Sequence, residues 1–324
     1  MRAVEAGALE RLPWDESDNP DFVMDAESEA APVSAEAWEP EPGSGSEQEK
    51  LLDQKPQLSF RIKRVRRTGK TEREQAAINM RWEKAQDRMF LEKEFLTTVL
   101  KVMANFNFEA RNVILTAAQR PTASRLATQS SWRGIGVEVL EKCLKNPVWL
   151  YSEAKHAQPI KFYDITQTNG EEIYTAHQTI YNAKAVVRIA MSLLDDLKII
   201  YKDDAEGIEF SIDPRAFIAP AGAMKNFEAL FFEAIKALSQ RDIVLCEERE
   251  LTDRTRYIAE ASAFVVCRYF DMLPQGKQVL LPDAIRSDEM DGIVDDLDCA
   301  RRIARHYIET ICDRLRSKKW REAK

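Results

Sequence analysis

Across residues 70–324 glycine occurs at only seven positions: Gly134, Gly136, Gly170, Gly207, Gly222, Gly276 and Gly292. The long spans between them are rich in Ala, Leu, Glu, Lys, Arg and Gln, which lose little freedom in a helix, and the glycines mark connections. A mainly α-helical body follows, with one or two short β-hairpins. The clearest periodic signal lies at residues 78–106. Steps of four and three pick out Ile78, Trp82, Ala85, Met89, Glu92, Leu96, Val99, Met103 and Phe106, a seam that Glu92 alone breaks. It predicts one long helix that packs within the chain or against a second copy, as in a homo-oligomer. Phe90, Phe95 and Leu100 widen the stripe, which favours packing within the chain.

Four further helices are expected over residues 172–198, 224–240, 253–273 and 291–318, each with apolar side chains at three-four spacing. The β-branched and aromatic runs 197–201 and 208–212 are separated by a polar turn ending in Gly207, and they read as a hairpin. A helix followed by such a hairpin has the outline of a winged helix-turn-helix. The cations Lys184, Arg188, Lys198 and Lys202 are outnumbered there by acids, whereas a groove-reading surface concentrates positive charge. Residues 242–246 read as a short strand, and residues 137–144, after Gly134-x-Gly136, as a short helix. The last helix ends in cations that complement its dipole.

The N-terminal region is different in kind. Residues 1–57 hold fifteen Asp/Glu against four Lys/Arg, a net of 4 − 15 = −11, together with six of the thirteen prolines. Few large apolar residues are available to offset chain ordering, so this segment reads as a disordered acidic tail. Trp14, Phe22, Val23 and Met24 within it read either as a short motif for a protein partner or as scattered hydrophobes. Taking the tail's −11 from the chain's −7 leaves +4 on residues 58–324. Six cations with no anion then follow: Arg61, Lys63, Arg64, Arg66, Arg67 and Lys70. The expected organisation is therefore a tail at 1–57, a basic arm at 58–72, an N-terminal helical region at 73–158 and a C-terminal helical region at 159–324 carrying the hairpin near 197–212. Pro159 or Pro220 marks a division of the body.

Searches for chemistry mostly end in bland readings. Gly69-Lys70-Thr71 lacks the earlier glycine of a phosphate-cradling loop, since Arg64 stands there. Cys299, His306 and Cys312 share the last helix but lack a fourth ligand, and the acids between Ser287 and Asp298 lack the terminal Glu of a calcium loop. Neither a metal, a cofactor nor a catalytic residue is expected. Five widely spaced cysteines, never in a Cys-x-x-Cys pair, argue for a reducing compartment. The sequence has no signal-like apolar run and none near the ~20 residues of a membrane span. The expected location is intracellular, cytoplasmic or nuclear, with no membrane partner.

One function class remains favoured. The basic arm creates a local positive potential, and polyanions are its natural partners. The expectation is a non-catalytic nucleic-acid-associated or assembly protein whose arm contacts phosphates of RNA or DNA independently of base sequence. Thr68-Gly69 would act as a hinge between arm and helix, and the acidic tail would compete for the arm. The alternative is a protein–protein adaptor or scaffold whose helical body is the interface and whose Lys63-Arg64-Val65-Arg66 run is a targeting signal.

Overall fold

The computed structural model describes residues 69–152, 158–170, 181–195, 197–205, 207–213, 215–220, 226–246, 250–286 and 290–317. The acidic tail and the arm as far as Arg67 lie outside these residues. Arg73–Lys324 form one unit. Its elements in chain order are α1 (Gly69–Leu91), α2 (Phe95–Asn105), α3 (Ala110–Gln119), β1 (Leu126–Ala127), α4 (Gln129–Gly134), β2 (Val148–Tyr151) and β3 (Pro159–Asp164). Then come α5 (Ala183–Leu194), β4 (Ile199–Lys202), β5 (Glu209–Ser211), β6 (Ala216–Pro220), α6 (Phe227–Cys246), α7 (Asp253–Tyr269), α8 (Asp283–Arg286) and α9 (Met290–Arg316). The fold is mainly helical, as the glycine map predicts. Among the described residues no helix is long and apolar enough to cross a membrane.

The seam at 78–106 is real, but it runs along two helices. Glu92, its polar break, is where α1 ends, and Glu92-Lys93-Glu94 are all exposed. Three successive charged residues cannot follow the stripe into an apolar interior, so the chain turns there. Arg88 closes the corner. Its guanidinium donates from Nε and Nη2 to both Glu92 carboxylate oxygens at 2.9 Å, and it lies 4.3 Å over the Phe95 ring. That contact holds the Glu92 carboxyl below its usual range. On either side of the break Ile78, Ala85, Met89, Leu96, Val99 and Met103 are all buried, so the seam is used within the chain.

The main core joins the C-terminal half of α1, through Ala85 and Met89, to α2, α3, α5, α6, α7, α9 and the inner face of β5 and β6. Thr97 of α2 exchanges hydrogen bonds of 3.2 and 3.3 Å with the backbone of Val279 and so pins the 273–281 segment. Residues 242–246 continue α6 and form no strand, because Ile243 falls on the buried stripe of that helix at 0 % exposure. Residues 137–144 form no α-helix; they hold a 3-10 turn at Glu141–Cys143 and a β-bridge from Val139 to Thr168. Of the helix expected over 172–198, the described part is α5, capped by Asn182; residues 171–180 lie outside the description.

Two hairpins are present, but neither is the pairing of 197–201 with 208–212 that the sequence suggests. In the first sheet, β3 lies between β1 and β2, all antiparallel. Its β2–β3 hairpin spans the expected boundary at 158/159, since Tyr151 pairs with Pro159. In the second sheet the runs at 199–202 and 209–211 are strands, but they do not pair with each other. β6 lies between them, parallel to β4 and antiparallel to β5. The hairpin is therefore β5–β6, where Phe210 and Phe217 sit opposite each other with ring centroids 5.8 Å apart. These two rings belong to the main core, as do Val186, Ile189, Ala190 and Leu194 of α5. The helix-and-sheet unit is thus part of the body's packing.

Helix side chains close an outer edge of each sheet. On β2, Asn112 exchanges hydrogen bonds of 2.9 Å with both the N–H and the C=O of Tyr151. Gln119, two turns further along α3, does the same for Trp149 at 3.0 and 2.9 Å. On β5, the Phe210 N–H donates to the Gln240 side chain at 3.1 Å. Asn112 is 4 % exposed, so its loss leaves two buried backbone groups without partners. Asn112→Ala is expected to lower stability by about 2–3 kcal/mol, read as a shifted urea midpoint with an unchanged slope. An unshifted midpoint would mean that β2 is held by apolar contact alone.

Candidate nucleic-acid interface

Of the six arm cations, Arg61, Lys63, Arg64, Arg66 and Arg67 lie outside the described residues, and Lys70 falls in the first turn of α1. Gly69, read from sequence as part of a hinge, is already helical. The other predicted groupings do not come together. Cys299 and Cys312 are buried in the core whereas His306 is exposed on the same helix against the ring of Tyr307. Asp298, twelfth in the calcium-like spacing, lies inside α9, accepts from the Ala110 N–H at 2.9 Å and pairs with Arg301 at 3.0 Å. No group of three or more His, Cys, Asp or Glu among the described residues is arranged to hold a metal ion.

What the fold does assemble is a cation-on-aromatic face that spans α1, α3, β2 and β3. Residues 110–170 hold eight Lys/Arg and four Asp/Glu, a net of 8 − 4 = +4. With the arm's net 6 − 1 = +5, they outweigh a net negative remainder of residues 58–324. Within this region β2 supplies Trp149 and Tyr151, two residues apart and so on one side of the strand. Around them pack Ile78 and Trp82 of α1 and Leu115 of α3, a small cluster distinct from the main core.

The cations sit on these rings. Arg81 places its guanidinium carbon 5.9 Å from the Trp149 centroid, and Lys161 of β3 places its Nζ 4.7 Å from the same ring. Arg111 lies between two rings, 4.9 Å from Trp82 and 4.1 Å from Tyr151. A ring face attracts a cation by about 0.5–1 kcal/mol at an exposed site and more where water is excluded. Trp149 and Tyr151 are each 8 % exposed, so they cannot stack on a base; they hold the cations instead. Burial pushes the Tyr151 phenol above its usual range, and the Arg111 guanidinium opposes that rise. The phenol donates to Asn79 Oδ1 at 3.2 Å. A carboxylate also enters the cluster: Glu74 of α1 accepts from Lys161 at 2.9 Å.

A buried carboxylate fixes the adjoining loop. Asp164, at 0 % exposure, accepts from the N–H groups of Ser124 and Arg125 at 3.0 and 3.1 Å and from the Thr166 hydroxyl at 2.5 Å. Arg120 approaches it at 3.5 Å and donates to Thr166 Oγ1 at 2.6 Å. Elsewhere, a shallow cleft of about 250 Å3 between α2 and residues 273–278 is lined by Lys101, Lys277 and Glu94. Its Lys277 is already engaged by Glu260 at 2.5 Å and by the Phe232 ring at 4.5 Å.

No protein-family model matches the chain, and no curated protein matches it. Among solved structures it is similar to the antirestriction protein ArdC from plasmid R388. The metal-free form is 13 % identical with a TM-score of 0.41, over 63 % of this chain and 84 % of that one. The Mn(II)-bound form is 14 % identical with a TM-score of 0.42, over 63 % and 83 %. The functional reading therefore rests on the residues themselves.

The face was missed in the sequence because Arg81, Arg111 and Lys161 are far apart along the chain and none of them belongs to a run of cations. The available signal was the alternation of Trp149 and Tyr151 on a strand. Arg111→Met should send the Tyr151 phenol further up, since the favourable guanidinium field is lost while burial remains. The tyrosine ring-carbon resonance of Tyr151, followed by NMR against pH, reads this directly. An unmoved or lowered titration would mean that the guanidinium does not act on this ring.

Proposed function

We propose that this chain is a non-catalytic nucleic-acid-associated protein that holds phosphates without reading bases, through two cationic elements. The first is the arm of Arg61, Lys63, Arg64, Arg66, Arg67 and Lys70. The second is the face of Arg81, Arg111 and Lys161. The observation that supports this most is the seating of three cations, Arg81, Arg111 and Lys161, on the rings of Trp82, Trp149 and Tyr151. Cations fixed in place lose little side-chain freedom when a phosphate arrives, so more of each contact's energy remains for binding. The buried rings offer no base platform, which favours backbone contact over readout.

The adaptor reading keeps one supporting observation. Leu91 at 80 % and Met80 at 56 % exposure are large apolar side chains on α1 facing solvent. Single exposed hydrophobes are common, and these two form no described patch, so the nucleic-acid reading is preferred.

Fluorescence anisotropy with labelled single-stranded RNA, single-stranded DNA and duplex DNA across a salt series tests the proposal. Intact protein is expected to bind all base sequences alike, with affinity falling steeply as salt rises. Gln at the six arm positions should remove most of the binding. Gln at Arg81, Arg111 and Lys161 should flatten the salt slope by about one to three units, up to one for each lost phosphate contact. Absence of binding by intact protein at low salt would sink the reading and leave the adaptor in front.

A further inference from the structure

Glu74 is oddly placed for a phosphate-binding face. It lies on α1 four residues before Ile78 and seven before Arg81, and so on the same side of the helix as both. Its Oε1 accepts from Lys161 Nζ at 2.9 Å. The ammonium is also 4.7 Å from the Trp149 centroid, and Arg81 lies 5.9 Å from that ring. Glu74 therefore pairs directly with one cation of the face, and its side chain is 25 % exposed against 40 % for Lys161. An ion pair this open to water contributes little to stability, so structure alone gives weak reason for a carboxylate at this position. The Trp149 ring holds the ammonium independently of Glu74.

We infer that Glu74 is an internal competitor for the phosphate site at Lys161, a built-in brake that keeps sequence-independent binding weak and readily reversed. This rests on the nucleic-acid reading above and names the residue that sets its strength. A phosphate oxygen approaching Lys161 Nζ takes the position of the Glu74 carboxylate, which is released to solvent. Binding at this point is an exchange of one anion for another, and it releases fewer condensed counterions than a free cation would. In the absence of nucleic acid Lys161 stays neutralised, and the face attracts polyanions chiefly through Arg81 and Arg111.

The test compares intact protein with Glu74→Gln, Lys161→Gln and the double variant, using labelled poly(dT), poly(U) and duplex DNA over a salt series. Glu74→Gln is expected to bind up to about fivefold more tightly at moderate salt, since the competing pair is worth about 0.2–1 kcal/mol. Its salt slope should steepen by about 0.7 on single strands and about 0.9 on duplex, one further counterion released. The gain should vanish when Lys161 is already Gln, because Glu74 acts through that side chain. An equal gain with and without Lys161 would overturn the inference in favour of a general charge effect. Unchanged affinity and slope in Glu74→Gln, with intact protein still binding, would overturn it while leaving the nucleic-acid reading intact. No binding by any of the four proteins at low salt would overturn both. Circular dichroism of Glu74→Gln is expected to match intact protein, which keeps a folding defect from imitating either result.

Discussion

Two side-chain amides on one helix hold the candidate interface together. Asn112 and Gln119 satisfy the outer backbone groups of Tyr151 and Trp149, and so fix strand β2 against α3. Everything above β2 depends on that register. A slip by one residue would turn Trp149 and Tyr151 to the opposite side of the sheet and leave Arg111, Arg81 and Lys161 without the rings beneath them. An unpaired backbone group buried at this edge costs more than a neutral hydrogen bond yields, so the amides act mainly by excluding other registers.

The rings that this edge positions behave as seats for charge. An arginine or lysine on the surface ordinarily samples many rotamers, and fixing it for a ligand costs entropy. Arg111 between Trp82 and Tyr151 has already lost much of that freedom in the folded protein. Folding thus bears a cost that binding would otherwise meet. The same arrangement explains why the aromatic residues are nearly buried: their apolar faces are covered by the cations they support. Long cationic side chains commonly cover apolar surface in this way while keeping their charged ends in water.

Much of the helical architecture was legible in the sequence, and the misreadings have local causes. The seam at 78–106 correctly marked buried positions on both α1 and α2, and its one polar member, Glu92, marked the corner that periodicity alone smoothed over. The three-four pattern survives the corner because the C-terminal half of α1 and the whole of α2 face one core. The strands at 199–202 and 209–211 were found from their β-branched and aromatic content, yet adjacency in sequence suggested the wrong partner. The separating strand, Ala216–Pro220, carries two alanines and ends in proline, so composition did not advertise it. Residues 242–246 are β-branched and apolar, which fits a strand, but Ile243 is in phase with the helix before it, and tertiary burial outweighs propensity. The cationic face was not legible, because its members come from α1, α3, β2 and β3 and meet only through the fold.

Gln240 carries a further consequence. By accepting from the Phe210 N–H it does at β5 what Asn112 and Gln119 do at β2, from a different helix and on a different sheet. In both places a glutamine or asparagine stands where a fourth strand would otherwise hydrogen-bond. Sheet growth therefore stops at a side chain, and each sheet's width is set by the helix packed beside it. Gln240 and Phe210 are both buried, so a shortened side chain at Gln240 would strand the Phe210 N–H inside the core, and the cost would fall on folding and not on the surface.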